Sequence, residues 1–128
     1  MASAEIPGMF RPINLNEIPY EPPARRDGML EEFLEMDIQE KWLVRPEEGF
    51  PVSVIRYGPG VSVPRHSHSA GELVYIISGS AIWNGHELTP GMAGFVGADV
   101  AYGPEAAGPD GVEFLLMRPR FSRYQDER

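Results

Sequence analysis

From Lys41 onward the chain alternates short apolar runs with glycine- and proline-rich breaks. KWLVRP, VSVIRY, ELVYII, SAIWN, HEL, AGFVG and VEFLLMR are each apolar or alternating in character. Between them stand Pro46-Glu47-Glu48-Gly49, Gly58-Pro59-Gly60, Ser78-Gly79, Asn84-Gly85, Pro90-Gly91 and Gly108-Pro109-Asp110-Gly111. Short runs at this spacing predict the strands of an all-β sandwich or barrel. Asn84-Gly85 predicts a two-residue hairpin, because both central positions of a type I′ turn need positive φ. The stretch MLEEFLEMDI, residues 29 to 38, is two-sided: Leu30, Phe33 and Leu34 fit a helical turn, whereas Leu34, Met36 and Ile38 alternate. A strand is expected there, in keeping with everything that follows.

Residues 1–27 read as an extended N-terminal arm. Pro7, Pro12, Pro19, Pro22 and Pro23 forbid a regular helix through it. Phe10, Ile13, Leu15, Ile18 and Tyr20 argue against full disorder and predict that the arm lies across the domain or across a partner subunit. Residues 28–120 form the β-barrel domain of this division, and residues 121–128 read as a polar C-terminal tail. No internal repeat interrupts the scheme.

Composition narrows the picture modestly. The chain has 128 residues, enough for one domain with a real core. Its 14 glycines and 13 prolines favour short strands and turns over long helices. There is no cysteine, which removes disulfides and thiolate chemistry. No run of about 18 apolar residues predicts a membrane span. Nor does the N-terminus show a basic region followed by an apolar core, so a cytoplasmic location is the default expectation. The net charge is −8 and the 11 basic residues are scattered, so the basic face that phosphate neutralisation requires is missing and nucleic acid is set aside as a partner.

The candidate chemistry lies in Gly60-VSVPR-His66-Ser-His68-SAG-Glu72-LVYIIS-Gly79. On an extended chain, residues of one parity share a face. With a turn at Ser69-Ala70-Gly71, the imidazoles of His66 and His68 and the carboxylate of Glu72 can converge. Two histidines and a carboxylate suit a divalent transition metal and leave positions open for a ligand. The bland alternative is a polar surface pair, or a pocket in which Glu72 pairs with a protonated histidine or an arginine. Strand parity from Glu72 puts Val74 and Ile76 inside and Tyr75 on the other face. Tyr75, Trp83, Phe95 and Phe114 are expected to divide between core and pocket wall. Arg56 is open between a substrate anchor and an exposed residue, Arg65 is expected to face away, and His86, just after the hairpin turn, is expected to be solvated.

The segment resembles the first motif of the cupin superfamily, in which Gly60, His66, His68, Glu72 and Gly79 all fall in place. The stretch from Trp42 to Pro119 is most similar to the small cupins related to 2,4′-dihydroxyacetophenone dioxygenase and acetylacetone-cleaving dioxygenase. The resemblance implies a cupin double-stranded β-helix, or jelly-roll barrel, commonly a homodimer, with a metal such as Fe, Mn, Ni, Zn or Cu inside. The second motif departs. Counted from Gly91, Gly97 stands for a proline, Asp99 for a glycine, Ala106 for an asparagine, and Tyr102 for the histidine that would be the fourth ligand. Tyr102-Gly103-Pro104 looks like the His-Gly-Pro of some metal-dependent members. Tyr102 is therefore open between ligand, hydrogen-bond donor to substrate and space-filling aromatic; Asp99 is open between a substitute ligand and a turn residue.

These readings predict a metal-dependent, dioxygenase-like enzyme acting on a small diketone or hydroxy-ketone. His66, His68, Glu72 and Tyr102 would hold Fe, Mn, Ni or Zn, with Glu72 and Tyr102 as the catalytic pair. Isomerase and lyase chemistry, with Tyr102 as acid or base, stands beside it. The alternative is a non-catalytic small-molecule-binding or degenerate cupin module with a weakened metal site.

Overall fold

The computed structural model describes residues 10–24 and 31–128. Its strands are β1 (Ile38–Val44), β2 (Val52–Tyr57), β3 (Ser62–Val63), β4 (His66–His68), β5 (Glu72–Trp83), β6 (His86–Leu88), β7 (Ala93–Val96), β8 (Glu105–Met117) and β9 (Tyr124–Asp126). All pairings between them are antiparallel. The main sheet runs β1-β2-β8-β5-β6, with β3 added on β8 and β7 on β5, and β4 pairs with β9 in a separate ribbon. No helix among the described residues is long and apolar enough to cross a membrane.

Parity organises the core. Along β5, Glu72, Val74 and Ile76 are buried while Leu73 and Tyr75 face out, as the sequence predicts. The register then slips between Ile76 and Ser78 by one residue on β5, whereas the second irregularity, between Gly79 and Ala81, places its extra residues on β8 and leaves the β5 parity unchanged. A slip of one residue exchanges the two faces of a strand. Ala81 and Trp83 consequently point inward, and Ile82 is 53% exposed. Trp83 packs edge-on against Phe114 at 4.8 Å, in a core shared with Tyr57, Val112 and Leu116. An apolar side chain buried this fully contributes about 1.5–3 kcal/mol.

Several local expectations change. Ser78-Gly79 and Gly108-Pro109-Asp110-Gly111 do not separate strands; they lie within β5 and β8, where the irregular register absorbs them. Asn84-Gly85 is the predicted hairpin turn between β5 and β6, with φ of 52° and 82°. Of the strand expected over residues 29 to 38, Ile38 opens β1, whereas Glu31–Glu35 form a 3-10 turn and 29 and 30 lie outside the described residues. That turn is set by a single anchor: Phe33 is buried edge-on against Tyr124 at 5.1 Å, while Leu34 is exposed. The stretch read as a polar tail carries β9, because Tyr124 is buried and the β4 edge offers it a partner strand.

The described part of the arm, 10–24, lies across its own domain. Glu21 exchanges two backbone hydrogen bonds with Glu40 of β1, both 2.9 Å. Lys41 Nζ donates to the Leu15 carbonyl at 2.7 Å and stands 4.5 Å from the Tyr20 ring centroid. The Tyr20 hydroxyl donates to Glu113 of β8, and Arg11 pairs with Glu48 at 2.7 Å.

Candidate functional site

Backbone pairing assembles the site around β4. His66 and Tyr102 exchange two backbone hydrogen bonds, 2.9 and 2.8 Å, and the Asp99 amide donates to the His68 carbonyl at 2.8 Å. On its other edge β4 pairs with β9, opposing His66 to Asp126 and His68 to Tyr124. The histidine ribbon is thus held on both edges. His66, His68 and Glu72 are 2%, 6% and 4% exposed, so the polar surface pair considered above is not what the chain forms.

One cavity of about 70 Å³ is lined by His66, His68, Glu72 and Tyr102, with walls that include Ile55, Phe114 and Leu116. Four further polar residues face it: Tyr57, Glu105, Arg118 and Tyr124. The Tyr102 hydroxyl donates to Glu72 Oε2 at 2.9 Å, and Arg118 Nη1 donates to Glu72 Oε1 at 3.1 Å. Tyr57 donates to Glu105 Oε1 at 2.8 Å. The Tyr124 ring stacks on His66 at 4.7 Å.

Arg118 follows the inward row Val112, Phe114, Leu116 by one more step of strand parity. The same parity, continued along VEFLLMR, marks it in the sequence. Glu105 is buried because β8 continues N-terminal to the apparent turn and pairs there with Trp83. The remaining candidates lie elsewhere: Arg56 pairs with Asp37 at the surface at 3.2 Å, and His86 and Arg65 are exposed. Asp99 is exposed with a φ of 62°, as a turn residue would be. Of the aromatics, Trp83 and Phe114 are core, while Tyr75 and Phe95 face solvent rather than a pocket wall.

Burial dominates the electrostatics. It raises the Glu72 carboxyl above the ordinary carboxylate range, against the pull of Arg118. Burial likewise pushes Glu105 up to about 7, opposed by the hydrogen bond from Tyr57. Tyr102 is driven well above the usual phenol range by burial and by the two carboxylates. His66 is held below the usual imidazole range by burial. Its Nδ1 lies 2.8 Å from the Pro64 carbonyl, which can only accept, so Nδ1 carries the proton and Nε2 keeps the lone pair.

The donor chemistry of His66, His68 and Glu72 suits a divalent ion, but the arrangement does not. Arg118 Nη1 lies 2.8 Å from both ring nitrogens of His68, a close contact that occupies the space beside the imidazole. Both Glu72 oxygens also receive donors, one from Arg118 and one from Tyr102. Among the described residues no group of three or more histidine, aspartate or glutamate side chains is arranged to hold a metal. What the pocket holds instead is the Glu72 carboxyl between a cation and a phenol, with a second buried carboxyl, Glu105, on the same cavity.

No protein-family model and no curated protein sequence matches the chain. Solved structures do. The polyketide cyclase RemF from Streptomyces resistomycificus is 20% identical, with a TM-score of 0.75 over 94% of this chain and 87% of that one. A proposed acetylacetone dioxygenase from Methylibium petroleiphilum PM1 is 17% identical, with a TM-score of 0.63 over 100% of this chain and 86% of that one. An RmlC-like cupin protein from Ralstonia eutropha JMP134 is 21% identical, with a TM-score of 0.60 over 83% of this chain and 66% of that one. At such identities the likeness shows the fold alone.

Proposed function

The chain has the cupin fold, and we propose that it is a small-molecule-binding cupin whose pocket performs proton transfer on a small oxygenated substrate, a hydroxy-ketone or diketone. The observation that supports this reading most is the placement of Glu72. It lies between Arg118 at 3.1 Å and Tyr102 at 2.9 Å in a pocket walled by Ile55, Phe114 and Leu116. A carboxylate buried beside one guanidinium keeps a base available where water is scarce.

In this reading Glu72 takes the proton from the carbon next to the substrate carbonyl and becomes a carboxylic acid, leaving an enolate. Arg118 stabilises the negative charge that develops on the enolate oxygen. The Tyr102 hydroxyl, or the Glu105 carboxyl while protonated, supplies a proton to that oxygen. For a hydroxy-ketone, Glu72 then returns its proton to the former carbonyl carbon while the adjacent hydroxyl gives up a proton that restores Tyr102 or Glu105, completing an isomerisation with no net change in protons. The cavity of about 70 Å³ suits the reactive end of a ligand. Arg118 and Leu116 also line a second cavity of about 210 Å³, together with Trp42, Pro51 and Ser122.

A metal-dependent, dioxygenase-like activity is the second reading, and it draws on the His66 tautomer that leaves Nε2 with its lone pair. It requires Arg118 to leave Glu72 and His68. Thermal shift of the chelator-treated protein against a panel of hydroxy-ketones and diketones separates the two readings. The first predicts that at least one class raises Tm without added metal and that Glu72→Gln abolishes the shift. A shift that needs added Fe(II), Mn(II), Ni(II) or Zn(II) favours the second.

A further inference from the structure

Glu72 presents a charge problem with an unusual answer. It is 4% exposed, and a buried carboxylate needs either a proton or a nearby positive charge. Near the second buried carboxylate, Glu105, a divalent ion would be the ordinary solution for two imidazoles and a carboxylate. In this chain the positive charge is already covalently attached. The Arg118 side chain is 9% exposed, and its Nη1 contacts Glu72 at 3.1 Å and His68 at 2.8 Å.

We propose that Arg118 is a built-in cation that replaces a metal ion in this pocket, and that it is the residue that keeps divalent metals out. The argument rests on how the donors are used. Glu72 Oε1 faces Arg118, Glu72 Oε2 faces Tyr102, and the His68 ring lies against Arg118 Nη1, 2.8 Å from both ring nitrogens. An incoming divalent ion would have to displace the guanidinium from two of its three candidate donors and would be repelled by its charge. Position strengthens the case. Arg118 lines both this cavity of about 70 Å³ and a neighbouring one of about 210 Å³, so the guanidinium is held from both sides of the site. The β4 ribbon that carries the histidines is pinned on both edges without a metal, by Tyr102 on one side and β9 on the other.

The inference goes beyond the proposed activity and does not need it: the pocket would exclude metal through Arg118 whether or not it transfers protons. Arg118→Met removes the charge and retains an unbranched side chain of moderate length, and Arg118→Gln provides a second, polar variant. Each chelator-stripped protein is titrated with Co(II), read by calorimetry and by the visible absorption of bound cobalt. The wild type is expected to bind Co(II) at least ~10-fold more weakly than one or both variants. The variants are expected to take up one ion per chain, and His66→Ala in the same background should remove that binding. Wild-type protein that binds one Co(II) per chain as tightly as the variants overturns the proposal, and this arm holds even if a variant fails to fold. Variants that fold and gain no affinity overturn it as well, since Arg118 would not then be what excludes the ion.

Discussion

The hydroxyl of Tyr102 donates to Glu72 Oε2 at 2.9 Å, joining the segment before β8 to the first residue of β5. Both partners are buried, and the backbone hydrogen bonds between Tyr102 and His66 fix the distance. Removing the hydroxyl while keeping the ring leaves a buried carboxylate oxygen without its donor. Tyr102→Phe is therefore expected to destabilise the protein by about 1–3 kcal/mol in urea unfolding at neutral pH. An unchanged unfolding free energy would mean that solvent replaces the phenol.

Glu105 makes stability depend on pH. Burial raises its folded-state value to about 7, above the ordinary carboxylate range. The folded state therefore holds a proton that the unfolded state has released, and stability falls as pH rises from the unfolded value through about 7. The penalty above that range is on the order of 3 kcal/mol at most. His66, held below its usual range, acts in the opposite direction as pH falls, so the difference between wild type and Glu105→Gln is the informative quantity. Unfolding free energies across that window should show the advantage of Glu105→Gln growing as pH rises. A difference that does not vary with pH counts against a buried, protonated Glu105.

Tyr124 separates packing from polarity. Its ring stacks on His66 at 4.7 Å and meets Phe33 edge-on at 5.1 Å, yet its buried hydroxyl has no hydrogen-bond partner among the described residues. Tyr124→Phe is expected to be neutral or mildly stabilising, because it removes an unsatisfied buried group. Tyr124→Ala should cost about 3–5 kcal/mol and loosen β9. Equilibrium unfolding, with hydrogen exchange at the Ser69 and Glu127 amides that bond to Arg123 and Arg65 beside β9, measures both effects.

The two glycines that bound the histidine segment do different work. At Gly79, with φ of 75°, a Cβ would lie 2.1 Å from the Gly111 carbonyl oxygen in the neighbouring strand. Gly60 has a similar φ of 81°, but no heavy atom lies within 4 Å of its would-be Cβ. Gly60→Ala should cost about 1–2 kcal/mol, the left-handed backbone penalty alone. Gly79→Ala must also move the β5–β8 pairing and should cost clearly more, read from the difference in urea midpoint.

The legibility of this site follows its chemistry. His66, His68 and Glu72 stand out in the sequence because their order and shared parity survive with no knowledge of neighbouring strands. Tyr102 was found by its place in the second motif, although its partner was not. Arg118 carries the same parity signal as Val112, Phe114 and Leu116, but an arginine at the end of an apolar run reads as a strand terminus. Glu105 was hidden by Gly108-Pro109-Asp110-Gly111, which looks like a turn and is absorbed within β8. Tyr124 is one aromatic in a polar stretch, and only the unpaired edge of β4 explains why it is buried. Tertiary pairing decided these three, and it is not written in local pattern.

Proton exchange tests the central claim most directly. A small hydroxy-ketone or diketone is incubated in deuterium oxide with the chelator-treated protein, and loss of the proton next to the carbonyl is followed by NMR. The account predicts exchange above the buffer rate without metal, abolished by Glu72→Gln and retained in His86→Ala. Exchange that occurs only after a divalent metal is restored, or that survives Glu72→Gln, would contradict it.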